Sequence, residues 1–253
     1  MATLTELNPA EHGNLKRRDD CAGRFASTQH VLLIQAAEAA RAVTSFPVFV
    51  SRSASTGRWH LFAITGLQVG KSLFVEDGDW GATFEPSCLQ TYPFFLMQSD
   101  SAPEGFAVGF DAASGALSED SGTALYSDQG KPSPLLTRVT NQLKADAQGD
   151  LQTRAFADCL DELGLFKSIK VNVHYASGAV QSITDLHTID EDRLQSLDQT
   201  QLADLAGRGY LLLVHAMLLS VFQLNALIRR HNQHTDRPAV NQIKLEVTAT
   251  GNG

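Results

Sequence analysis

The stretch Tyr210–Phe222 constrains the fold most. It is the most apolar run in the chain, about 13 residues interrupted only by His215 and Ser220. A bilayer span needs about 20 predominantly apolar residues, so this run predicts a buried core helix, the first part of a long helix from about Tyr210 to His231. A helix apolar on every side must be enclosed by other elements. With 43% hydrophobic and 19% charged residues in 253, the chain has enough apolar side chains to enclose it.

The elements that could do so divide by periodicity. Before about Gly130 the chain reads as short antiparallel strands with Gly-marked turns. Val31–Ile34 is a short apolar run, and the Ala-rich Gln35–Thr44 favours a helix. Pro47 opens Val48–Val50, and Trp59–Ile64 returns from a turn over Ser51–Gly57. Leu73–Val75, Phe94–Met97 and Phe106–Phe110 continue the pattern, with Asp77-Gly78-Asp79 as a turn. Leu4–Asp20 is polar and aperiodic and predicts an irregular lead-in.

After Gly130, Ser133-Pro134 caps a helix carrying Leu135, Leu136, Val139 and Leu143 that fades by Gly149. Asp150 caps a second helix through Phe156, Leu160 and Leu163, which Gly164 ends. Ile169, Val171, Val173 and Tyr175 alternate, and Ser177-Gly178 turns the chain back into Val180 and Ile183, a hairpin. Asp190 opens a short helical segment, and Asp198 caps Gln199–Ala206. Ile243, Leu245 and Val247 alternate like a strand, and the polar, Gly-ended finish after them suggests weak order. The expected fold is α+β, with a β-rich N-terminal half and a mainly helical C-terminal half containing one hairpin. It forms one domain over 1–253, divisible at 1–130 and 131–253.

Charge and cysteine usage narrow the function. The net charge is −8 and the basic residues are scattered, which argues against a nucleic-acid partner because phosphate recognition rests on clustered Lys and Arg. Met1–Asp20 has no apolar run of the signal-peptide kind. Cys21, Cys88 and Cys159 are odd in number, without metal spacing, and read as free thiols. These features predict a cytoplasmic protein without a membrane span.

The chemistry-bearing motifs are incomplete. Gly66-Leu-Gln-Val-Gly70-Lys71-Ser72 resembles a phosphate-binding loop, but three residues separate its glycines where four are needed, and a β-like run follows in place of a helix. It reads as a connection between strands, with no nucleotide. His231 and His234 stand at i and i+3 as weak metal candidates, short of the three protein ligands a zinc site takes; no cofactor is expected. His215 reads as a core residue. No nucleophile elbow, zinc-protease motif or dinucleotide fingerprint is present.

Trp80, Phe84, Pro86, Tyr92, Pro93, Phe94 and Phe95 crowd rigid surfaces into one short stretch. Such density either covers one end of a sheet or lines a concave site for an extended peptide or an aromatic ligand.

At this cluster the sequence resembles the SapC family of bacterial proteins, over about Leu7 to Arg230. The landmarks are Leu7-Asn8-Pro9 with His12, Phe25-Ala26 with His30, Pro47-Val48-Phe49, Gly66-Leu67, Leu73-Phe74-Val75, Gly78, Trp80, Pro86 and Tyr92-Pro93-Phe94. Gly122, Leu125, Gly130, Thr153, Phe156, Leu163-Gly164-Leu165 and Leu218-Leu219-Ser220 continue them. The family pattern carries Gly-Glu-Asn where this chain has Gly70-Lys71-Ser72, a basic pair where it has Gln90-Thr91, and a histidine where it has Met217. The resemblance implies an association with surface-layer production or export and points to no particular reaction. The leading expectation is a non-catalytic binding or accessory protein with a peptide or protein partner, its ligand contacts drawn from His12, His30, Trp80, Phe84, Tyr92 and Phe94. The alternatives are an enzyme, metal-dependent or otherwise, using His12, His30 and His215, and a small-molecule-binding regulator with a closed apolar pocket.

Overall fold

The computed structural model describes residues 4–100, 105–234 and 236–248. The fold is α+β, its sheets antiparallel and its helices mostly in the C-terminal half. Contacts group the chain into two compact units. The first comprises Met1–Ser27, Val75–Gly81 and Ser87–Gln148, the second Thr28–Phe74, Ala82–Pro86 and Gly149–Gly253.

In the first unit the lead-in is structured, contrary to expectation. Leu4–Glu6 adds to the strand Phe106–Asp111, which pairs on its other side with Phe94–Gln98. Lys16–Arg17 is the middle of a second small sheet, between Leu117–Ser118 and Thr123–Ala124. These strands have two or three residues and partners distant in sequence, so no local periodicity announces them. Phe94, Phe110, Leu125, Tyr126, Leu136, Val139 and Leu143 form the core, with Leu7 and Leu15 packed against it. Of the expected strand Leu73–Val75, only Val75 pairs, in the hairpin Val75–Glu76/Asp79–Trp80.

The second unit is built on a six-stranded sheet in the order Val240–Val247, Phe166–Tyr175, Val180–Ile189, Val48–Arg52, Trp59–Ile64, Val31–Ile34. The hairpin Phe166–Tyr175/Val180–Ile189 turns where Ser177-Gly178 predicted. The alternation of Ile243, Leu245 and Val247 is a strand, as expected: Val240–Val247 pairs along the outer side of Phe166–Tyr175. The polar, Gly-ended finish lies outside the described residues. The core includes Phe46, Val48, Phe49, Leu61, Ile64, Phe156, Leu165, Val171, Val173, Val214, Met217 and Leu227.

Two helix boundaries differ from the sequence reading. Pro134–Glu162 is one helix, unbroken at Gly149. A Cβ at Gly149 would sit 2.0 Å from Gln35 Oε1, and Thr153 Oγ1 donates to Gly149 O while accepting the N–H of Ala36 at 2.9 Å. The start of the helix Ala36–Ala42 therefore docks where the glycine leaves room, and tertiary contact overrides a helix-propensity cost of about 1 kcal/mol relative to Ala. The long C-terminal helix, by contrast, is two, Tyr210–Ser220 and Gln223–Asn232, separated at Val221-Phe222.

Candidate interaction surface

The residues singled out in the sequence distribute between the two units. His12, Trp80, Tyr92 and Phe94 belong to the first, His30 and Phe84 to the second. His12 ends the short helix Pro9–His12, where its Nδ1 accepts the N–H of Asn8 at 3.0 Å and its ring meets the Phe110 ring edge-on at 5.1 Å. Phe110 faces Phe94 across the strand pair, so His12 and Phe94 meet around one core aromatic. Tyr92 stacks on Phe25 at 4.1 Å; burial raises its phenol pKa, and a bond to Ser114 opposes that. Trp80 is half-buried in its hairpin.

In the second unit, His30 Nδ1 accepts the N–H of Gly70 at 3.3 Å, and its carbonyl takes the N–H groups of Thr65 and Gly66. Burial lowers its imidazole pKa. Phe84 is buried, with the Arg41 guanidinium 5.0 Å above its ring.

His30 thus braces the loop that mimicked a phosphate site. Gln68 and Lys71 form an isolated bridge, Leu73 N–H returns to Thr65 O, and Ser72 Oγ accepts the N–H of Phe74. Gly66 is required by packing, since a Cβ there would lie 1.8 Å from Lys71 O. The amides of Gly66, Gly70, Lys71 and Leu73 are engaged in closing the turn, and no helix follows Ser72.

His231 is buried with Nε2 donating to Pro238 O at 3.0 Å, while its Nδ1 is buried with no partner. His215, expected in the core, is exposed, and its Nδ1 bonds Leu211 O at 2.7 Å. Among the described residues, no three His, Cys, Asp or Glu side chains are grouped to hold a metal.

A polar hollow of about 290 Å³ opens over the β-bulge in the large sheet, lined by Arg52, Lys170, Thr184, Asp185, His187 and Thr248 among others. Burial lowers the His187 pKa, with Asp161 and Asp185 opposing. Its lining differs from the closed apolar pocket that a small-molecule regulator predicted.

The feature sequence reasoning missed lies on the helix it assigned wholly to the core. Tyr210–Ser220 buries Val214, Ala216, Met217 and Ser220. Its other side carries Leu212 at 67% exposure and Leu219 at 64%, and Phe222, in the break that follows, is 70% exposed. A spacing of seven puts Leu212 and Leu219 on one helical face, with His215 between them, and Phe222 follows two residues past the end of the helix. By length and composition alone Tyr210–Asn232 is apolar enough to cross a bilayer, and 33% of its most apolar stretch is buried. Single exposed apolar residues are ordinary, but a contiguous row of large ones marks an interaction surface.

These features define an α+β protein whose conspicuous surface is an apolar stripe on a C-terminal helix. A family model described as SapC matches residues 7–227, and the chain belongs to the SapC family. No curated protein and no solved structure matches it.

Proposed function

We propose that the protein is a non-catalytic accessory protein that docks a peptide or protein partner in surface-layer or cell-envelope biogenesis, using the Leu212–Leu219–Phe222 stripe. The observation that carries this reading is the exposure of two large apolar side chains on the most apolar helix of the chain and of Phe222 just past its end. Fully burying one such side chain contributes about 1.5–3 kcal/mol, so a partner that covered all three would gain a substantial apolar contribution. The aromatic candidates favour this surface over their own: Phe84 and Phe94 are spent on packing, and Tyr92 is stacked on Phe25.

The test is affinity capture from a native lysate with the wild-type chain and with a Leu219→Glu/Phe222→Glu variant. The expected result is a discrete partner retained by the first and lost by the second, with both proteins folded. Equal capture by both, or cosedimentation of the wild-type chain with lipid vesicles in place of protein capture, would overturn the proposal.

A further inference from the structure

The large sheet ends at Val240–Val247, and the hydrogen bonds of this edge strand alternate in a readable way. Thr248 N–H donates to Ser168 O, so Thr248, Glu246 and Lys244 direct their backbone groups inward, to the register partners Lys170 and Asn172. Val247, Leu245 and Ile243 therefore direct theirs outward. At the start of the strand the outer edge is closed: the Asn232 amide accepts the N–H of Val240 at 2.8 Å and donates to its carbonyl at 2.9 Å. Beyond it the outward groups of Ile243, Leu245 and Val247 have no strand beside them among the described residues.

Side chains alternate as well. Ile243, Leu245 and Val247 share the face of Ile169, Val171 and Val173, which is the buried face of the neighbouring strand. At the edge Val247 is nevertheless 68% exposed. Lys244 and Glu246 are exposed on the opposite face.

We propose that this edge is a homodimer interface in which Ile243–Val247 pairs antiparallel with the same residues of a second copy, the two-fold axis passing through Leu245. Outward groups must meet outward groups, which permits only registers shifted by an even number of residues. Centring on Lys244 would oppose two lysines, and centring on Glu246 would oppose two glutamates; like charges directly opposite destabilise a strand pair. Centring on Leu245 sets Lys244 against Glu246 twice. It also sets Ile243 against Val247 twice and Leu245 against itself, so the apolar row continues unbroken into the second copy on the buried face. Each Glu246 then lies between Lys170 of its own chain and Lys244 of the other. A lysine on an edge strand ordinarily blocks such pairing; here the glutamate two residues on makes the same lysine self-complementary in a single register. This interface is isologous, as a two-fold dimer requires, and it is separate from the helical stripe, so either proposal stands if the other fails.

The test is sedimentation of the full chain with two charge variants. The wild type is expected to dimerise. Lys244→Glu and Glu246→Lys each create two like-charge oppositions across the interface and are expected to dimerise about tenfold more weakly, with folding unchanged by circular dichroism; Glu246→Lys also sets a second positive charge against Lys170 within each chain. Mixed together they restore the Lys–Glu pairs across the interface and are expected to form a heterodimer tighter than either variant forms alone. Independently of any variant, the amides of Ile243, Leu245 and Val247 are expected to gain hydrogen-exchange protection as concentration rises. A chain that stays monomeric at its highest soluble concentration overturns the proposal, as does a dimer indifferent to both variants. Variants that weaken the dimer without recovering it on mixing overturn the register.

Discussion

The N–H of Val48 donates to Ser220 Oγ at 2.9 Å, and that hydroxyl lies 2.6 Å from the carbonyl of Met217. Val48 opens a central strand of the large sheet and Ser220 ends the apolar helix, and both are fully buried. The bond selects which side of the helix faces the sheet. With Ser220, Met217 and Val214 turned inward, Leu212 and Leu219 are left on the outer side.

Removing the hydroxyl should therefore be costly although a single atom is lost. Ser220→Ala leaves the Val48 N–H buried without an acceptor, a penalty of about 1–3 kcal/mol. Denaturant unfolding is expected to show a lower midpoint with the slope unchanged. Wild-type stability in the variant would mean that Val48 finds another acceptor and that the helix is oriented by packing alone.

The Gly66–Ser72 loop makes opposite predictions for its two most motif-like residues. Gly66→Ala drives a Cβ into the Lys71 carbonyl and should destabilise by about 1–3 kcal/mol through forced backbone shifts. Lys71→Ala, at an exposed side chain, should stay within about 0.5 kcal/mol. A nucleotide loop would show the reverse dependence in a binding assay, with Lys71 as the sensitive position; thermal shift with and without nucleotide measures both.

Stability should fall in mild acid, in part through His231. Burial lowers its pKa, the Pro238 carbonyl opposing, because a proton on Nδ1 would enter a place with no acceptor. The unfolded chain, with the ordinary imidazole value of about 6.5, then binds the proton more readily. The stabilising contribution is complete above that value and is lost as pH falls through the lower, folded one. His30 and His187 shift the same way. Thermal midpoints measured from neutral pH downward should decline, and His231→Gln, which keeps a donor for Pro238, should decline less steeply. Parallel curves would remove His231 from this account.

What was legible in the sequence was whatever is local. The hairpin at Ser177-Gly178 follows from period two and a turn dipeptide. Asp190 and Asp198 cap the helices Glu191–Gln195 and Gln199–Gly207 through their own side chains, a contact within three residues. Two misreadings involve distant partners. Gly149 looks like a stop until Gln35 is beside it, and Leu4–Glu6 has no strand signal without Gly109–Asp111. The tail Ile243–Val247, by contrast, announces its strand by alternation alone, although its partner lies some seventy residues earlier. The stripe was illegible for a different reason. A helix apolar all round has no polar face to indicate which side meets solvent, so only the Val48–Ser220 bond and the packing of Val214 and Met217 distinguish Leu219 from a core leucine.

The proposed docking surface is tested most directly by a photo-crosslinking amino acid placed at position 219, with position 151 as the control. Leu219 and Leu151 are both exposed leucines on helices, at 64% and 59%, and they differ in that only Leu219 belongs to the stripe. Irradiation in living cells is predicted to give a discrete higher-mass adduct from position 219 and none from position 151. No adduct from 219, or the same adducts from both positions, would contradict the account.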